Sequence, residues 1–77
     1  MSDVQDRLVN CFSLVFPALR KEDIPNAAQA ALPEWDSIAT VTLMGLLQEQ
    51  FGSSPELEEM MAMTSFSDVL AHLRRAP

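Results

Sequence analysis

The sequence predicts a small all-α domain, and three observations lead to this prediction. No stretch shows the sustained period-two alternation of β-branched or aromatic residues that is typical of strands. Several stretches instead carry apolar residues at helical spacings. The 77 residues, 48% of them apolar, suit one globular domain over residues 1–77. The expected architecture is a bundle of three long helices and one short helix, with a long first loop.

The first predicted helix covers residues 3–16, and Pro17 ends it because proline has no backbone N–H to donate. A long connection follows over residues 17–36. Within it, residues 27–32 are predicted to form one helical turn. A connection of this length is expected to pack against the domain or to serve a function. Its predicted anchors in the core are Ile24, Leu32 and Trp35.

The second helix is predicted over residues 37–51. Its N-cap is either Asp36 or Ser37, since both residue types accept hydrogen bonds from the first turn of a helix. Gly52 follows at the position where glycine commonly ends a helix.

Two further helices are predicted near the C-terminus. A short helix is expected to begin with Pro55 in its first turn and to end near Met63. The last helix is expected to begin after Ser65 as N-cap, with Asp68 three residues on in a variant of the capping box. From Phe66 onward its apolar residues follow the i, i+3, i+4, i+7 pattern.

The charge balance restricts the partners. The chain has 5 Lys and Arg against 11 Asp and Glu, a net charge of −6, so it lacks the basic face that nucleic-acid binding needs. An acidic surface favours protein partners with basic patches. The apolar runs are too short to span a bilayer. The acidic N-terminus lacks the signal-peptide pattern, so we expect the protein in the cytoplasm. We also expect it to be a monomer.

The sequence offers no candidate catalytic group and no metal site. His72 is the sole histidine and is predicted to face solvent near a helix end. Cys11, the only cysteine, falls on an apolar helical stripe and is predicted to be a small buried hydrophobe. The two glycines, Gly45 and Gly52, cannot form a glycine-rich phosphate loop. We therefore expect a protein that is not an enzyme.

The second helix has more apolar surface than one core contact requires. At 100° per residue, Ile38 and Val41 lie well away from the core-facing stripe. Gly45 lies between them, and Thr42, Gln48 and Glu49 share this face. Either Ile38 and Val41 contact a neighbouring loop, or they form an exposed patch for a partner. The pattern alone favours neither interpretation. The predicted core-facing stripe consists of Thr40, Leu43, Met44, Leu47 and Phe51.

Ser37 lies where this second face meets the N-terminus of the helix. Unpaired backbone N–H groups and the positive end of the helix dipole meet there and favour an attached anionic group, such as a phosphodiester on the hydroxyl. The alternative interpretation is a plain N-cap serine.

The segment Trp35-Asp36-Ser37-Ile38 opens a helix after a long proline-containing loop. In this position it resembles the attachment motif of acyl and peptidyl carrier proteins, whose usual core is Asp-Ser-Leu. The resemblance continues through residues 38–43 and 47–52 and includes Thr64-Ser65-Phe66 before the last helix. It implies the acyl-carrier-like arrangement of helices over essentially the whole chain.

The resemblance also implies a function. Ser37 would receive 4′-phosphopantetheine from coenzyme A through a phosphopantetheinyl transferase, and Asp36 matches a position that assists this Mg²⁺-dependent step. The thiol of the arm would carry an acyl or aminoacyl group as a thioester between loading and transferring enzymes. Ile38 and Val41 match partner-facing apolar positions. The same face supplies the other expected partner-binding residues: Thr42, Gly45 and Glu49.

Two departures from the pattern indicate a specialised stand-alone carrier rather than the housekeeping fatty-acid carrier. Ile38 replaces the usual leucine, and Glu49 is the only acid along a helix that often bears several. Met60, Met61 and Met63 form either the wall of an acyl pocket or ordinary gap-filling core and surface side chains. The alternative function is an unmodified helical interaction module that uses the face of Ile38 and Val41.

Overall fold

The computed structural model describes residues 3–75, and this part of the chain is an all-α bundle, as the sequence predicts. The connection after the first helix contains two short 3-10 turns, Ile24–Asn26 and Gln29–Ala31. The second of these is shorter than the turn predicted for residues 27–32. The helices described are, in chain order, α1 Asp3–Val15, α2 Ser37–Phe51, α3 Leu57–Ala62 and α4 Phe66–Arg75.

Aromatic rings from three parts of the chain meet in the core. The ring of Phe12 in α1 lies edge-on to Trp35 in the connection, at a centroid distance of 5.4 Å, and to Phe66 in α4, at 5.1 Å. Ile24 and Trp35 are buried, which confirms them as core anchors. Leu32 is only half-buried, because it borders a surface pocket described below.

Helices α1 and α2 pack side by side in opposite directions. Near the start of α1, Arg7 Nη1 donates a hydrogen bond of 3.2 Å to the carbonyl of Gln50 at the end of α2. Its guanidinium also lies 5.9 Å from the centroid of the Phe51 ring. At the opposite end of the bundle, Phe16 packs against Trp35, at a ring distance of 5.9 Å. The end of α1 and the start of α2 therefore lie together.

Backbone hydrogen bonds fix the long connection to the start of α4. Gln29 N donates to the carbonyl of Thr64 at 2.7 Å, and Phe66 N donates to the carbonyl of Ala27 at 3.0 Å. The Gln29 side chain donates in turn to the Trp35 carbonyl at 3.1 Å. The connection is thus a packed part of the domain and holds the segment before α2 in place.

Gly52 ends α2 as predicted, with φ of 79°, a left-handed conformation that glycine adopts without strain.

The predicted start of the short helix needs one correction. Pro55 lies before α3 and not in its first turn. Glu56 is the N-cap, because its backbone N–H donates to the Glu59 carboxylate at 3.1 Å and its own side chain completes a capping box.

The predicted start of α4 is confirmed. Asp68 N donates to Ser65 Oγ at 3.1 Å, so Ser65 caps the helix. The Asp68 carboxylate reaches back to Thr64 N, also at 3.1 Å, one residue earlier than in the standard box. The start of α4 is therefore as predicted, whereas α3 starts later than predicted. The reason is that Glu56, one residue beyond Pro55, is the N-cap of α3.

Cys11 is fully buried on the core side of α1, which confirms its prediction as a small hydrophobe. Burial raises the pKa of its thiol above the ordinary value for a cysteine, and the negative charge of Glu49 adds to the effect. The neutral thiol is therefore the stable form. His72 is not fully solvent-facing as predicted: its side chain is 26% exposed, and its Nδ1 lies 4.0 Å from the Glu59 carboxylate.

Candidate functional site

The N-terminus of α2 is capped by Asp36, which decides between the two predicted caps. Asp36 has an extended backbone, and its Oδ1 accepts a hydrogen bond of 2.9 Å from Ala39 N. Its carbonyl accepts from Thr40 N at 2.9 Å and from the Thr40 hydroxyl at 3.0 Å. These bonds define where α2 starts and make Ser37 its first residue.

Because Asp36 provides the cap, the interpretation of Ser37 as a plain N-cap serine is wrong. Ser37 is exposed, and within residues 3–75 its hydroxyl has no hydrogen-bond partner. The backbone N–H groups of Ser37 and Ile38 also have no acceptor in that part of the chain. The hydroxyl is therefore free to react, next to N–H donors and the positive end of the α2 dipole, which stabilise a phosphate.

The outer face of α2 is exposed along its length. The side chains of Ile38 and Val41 are 76% and 58% exposed, which favours a surface patch over two side chains covered by a neighbouring loop. Thr42, Gly45 and Glu49 are also exposed, and their spacing continues the same face. We call this set of five residues the α2 outer face. The opposite stripe packs as predicted, with Thr40, Leu43 and Leu47 buried and Met44 and Phe51 half-buried.

The three methionines divide between core and surface. Met60 is buried, Met63 is half-buried and Met61 is 55% exposed. None of them lines any of three pockets found on the described part of the chain. This arrangement favours the interpretation as gap-filling core and surface side chains over that of a shared pocket wall.

An apolar pocket of about 250 Å³ lies instead near the end of α1, a feature that the sequence analysis did not predict. It is formed where α1 ends and the connection returns towards α2. The available signal was the set of apolar residues beside Pro17 and Pro33, of which only Leu32 was given a role, as a predicted core anchor. The pocket is lined by residues 15–19, Leu32 and Glu34.

The fold and site thus define a small all-α bundle with an exposed, unbonded serine at the start of its second helix. Comparisons with models of protein families, with curated proteins and with solved structures found no match for this chain. In residues 3–75, every helix is too short or too polar to cross a bilayer. Within the same residues, no group of three or more His, Cys, Asp or Glu side chains is placed to hold a metal ion.

Proposed function

We propose that the protein is a stand-alone carrier of acyl or aminoacyl groups, modified with 4′-phosphopantetheine at Ser37. The observation that carries this proposal is the free, exposed hydroxyl of Ser37 at the capped N-terminus of α2. A serine that served as the helix cap would have its oxygen engaged by a backbone N–H. Here the cap is a different residue, so the hydroxyl can be modified without loss of the helix.

The attachment step transfers the phosphopantetheine group of coenzyme A to Ser37. A bond forms between Ser37 Oγ and phosphorus, the pyrophosphate P–O bond breaks, and 3′,5′-ADP leaves. A base of the transferase takes the hydroxyl proton. When attached, the group supplies a terminal thiol that holds cargo as a thioester. The phosphodiester would lie beside the free N–H groups of Ser37 and Ile38, whose partial positive charge stabilises it.

Asp36 fits a supporting role in this step. Its Oδ1 caps the helix, while its Oδ2 has no hydrogen-bond partner in residues 3–75. The second oxygen is thus available to the Mg²⁺ that the transferase uses. The side chain would fix the start of α2 and at the same time help to position the metal near the hydroxyl.

The same proposal covers the partners and the setting. The α2 outer face would contact the transferase and the loading and transferring enzymes, and the net charge of −6 would attract those with basic patches. We propose that the carrier works as a cytoplasmic monomer in a specialised pathway. Tethering would keep its cargo at a high local concentration near each docked enzyme.

Modification of Ser37 is tested directly by mass. Incubation with a promiscuous phosphopantetheinyl transferase, Mg²⁺ and coenzyme A should raise the intact mass by one phosphopantetheine. Ser37→Ala should abolish the gain completely. Ser67→Ala is the matched control, because Ser67 is also an exposed serine in the first turn of a helix and should leave the gain unchanged. A protein that stays unmodified while a known carrier is modified would refute the proposal.

The α2 outer face also supports a second candidate, an unmodified helical module that binds a protein partner. Its basis is the exposure of Ile38 and Val41, since large apolar side chains placed together on a surface are typical of binding sites. The mass experiment separates the two functions, because this module would gain no phosphopantetheine.

Val41→Glu tests whether the α2 outer face binds the transferase. We expect kcat/KM for modification to fall on the order of tenfold, equivalent to about 1.4 kcal/mol, because a charge replaces an apolar contact. Circular dichroism should show unchanged helix content, since Val41 is 58% exposed. Leu14→Glu is the control: Leu14 is 67% exposed on α1, and its change should leave kcat/KM unaltered. Loss of fold in Val41→Glu would contradict the surface assignment.

A further inference from the structure

Gln29 joins the start of α4 to the segment that precedes α2. Its backbone N–H donates to the Thr64 carbonyl at 2.7 Å, and its side-chain Nε2 donates to the Trp35 carbonyl at 3.1 Å. The backbone bond fixes the position of Gln29 against α4. The side chain can therefore act as a fixed donor for the Trp35 carbonyl.

The carbonyl that Gln29 contacts belongs to the peptide unit between Trp35 and Asp36. A peptide unit is planar, so its carbonyl and its N–H turn together. The N–H of this unit donates to the Glu34 carbonyl at 3.0 Å, while its carbonyl accepts from Gln29. Burial of the Trp35 ring does not fix the plane, because the unit can rotate about the soft dihedrals on either side while the ring stays in place. The two hydrogen bonds provide that restraint.

The orientation of this peptide unit determines how the chain enters α2. Asp36 follows it with φ of −108° and ψ of −169°, and from this conformation its Oδ1 accepts from Ala39 N at 2.9 Å. Rotation of the unit would change φ of Asp36. It would therefore change the directions in which the side chains of Asp36 and Ser37 leave the backbone.

We infer that Gln29 is a positioning residue for the modification of Ser37. It acts through the peptide unit of Trp35 and Asp36, which it holds in the orientation that presents the Ser37 hydroxyl for phosphoryl transfer. The inference rests on the proposed function and deepens it, because it names a residue that controls the rate at that site. Docking of the transferase on the α2 outer face is a separate event, so the two effects should appear in different kinetic constants.

The kinetic test measures kcat and KM for transfer of phosphopantetheine to the protein. Gln29→Met has a side chain of similar length with no N–H and no charge. Its kcat should fall on the order of fivefold, the factor by which loss of one neutral hydrogen bond changes an equilibrium. KM should stay unchanged, because the α2 outer face is unaltered.

Two further variants make the kinetic result specific. Gln29→Lys restores an N–H donor of similar reach and should recover most of kcat. Gln50→Met is the matched control, since Gln50 is also exposed and lies at the far end of α2 from Ser37. It should change neither constant.

Amide hydrogen exchange tests the same restraint without the transferase. In unmodified Gln29→Met, the Asp36 N–H should exchange on the order of fivefold faster, because its peptide unit is then held by one bond instead of two. Gln29→Lys should reverse the change, and Gln50→Met should not cause it. Circular dichroism should show the same helix content in all three variants, since both glutamines are exposed.

The outcomes separate this inference from the proposed function. An unchanged kcat in Gln29→Met, or a higher KM with an unchanged kcat, would overturn the positioning role while the carrier function stands. A fall in kcat that Gln29→Lys does not reverse would also overturn it, because the donor would not be the cause. If the unaltered protein gains no phosphopantetheine, the carrier function fails and the positioning role fails with it.

Discussion

Phe66→Ala should destabilise the protein by about 3–5 kcal/mol, the usual cost of deleting a fully buried aromatic ring. Phe66 is 1% exposed and lies edge-on to Phe12, so its removal leaves a cavity at the centre of the core. A chain of 77 residues is expected to have only about 4–12 kcal/mol of total stability. Urea unfolding followed by circular dichroism should therefore show a much lower urea midpoint for the variant than for the unaltered protein.

Leu57→Ala provides the comparison, because Leu57 is 50% exposed on α3 and should lose little stability. A change of less than about 1 kcal/mol for Phe66→Ala would contradict the packing described for α4. A variant too unstable to purify is replaced by Phe66→Leu, whose smaller loss follows the same direction.

Trp35→Ala should have an effect of similar size, about 3–5 kcal/mol, and should also impair the proposed modification of Ser37. Trp35 is 3% exposed, contacts the rings of Phe12 and Phe16, and lies two residues before Ser37. Its loss frees the segment that leads into α2. Urea unfolding should report the loss of stability, and the rate of phosphopantetheine transfer to Ser37 should fall at a temperature where the variant remains folded.

Two further variants make this second result specific. Trp35→Phe keeps a buried ring and should recover most of the stability and of the transfer rate. Pro33→Ala changes an exposed residue of the same segment and should alter neither quantity greatly. A normal transfer rate in folded Trp35→Ala would show that Trp35 supports the core alone and does not position Ser37.

The helices could be predicted because their determinants are local. The spacing of Leu43 and Leu47 gives the buried side of α2, and Gly52 supplies the left-handed residue that ends it. The exposure of Ile38 could not be decided in this way. Helical periodicity shows that a side chain leaves the core stripe, but whether a loop covers it depends on the path of the rest of the chain.

The connection shows what a local pattern omits. Its shape depends on the bonds from Gln29 to Thr64 and from Phe66 to Ala27, which join residues far apart in sequence and leave no periodic signature. The same holds for the pocket, since Leu32 and α1 become neighbours only after folding. Assignment of the cap to Asp36 rather than Ser37 required the observed bond to Ala39 N, because both residue types are good caps.

The two bonds that join the connection to the start of α4 have a consequence for the fluctuations of the native state. A loop tied only at its ends can open alone, at a small fraction of the free energy of global unfolding. Here, detachment of the connection would also break the bond made by Phe66 N. The peptide segment that leads to Ser37 is therefore expected to open only together with the core, so any group attached at Ser37 in the proposed function would be held on a rigid base.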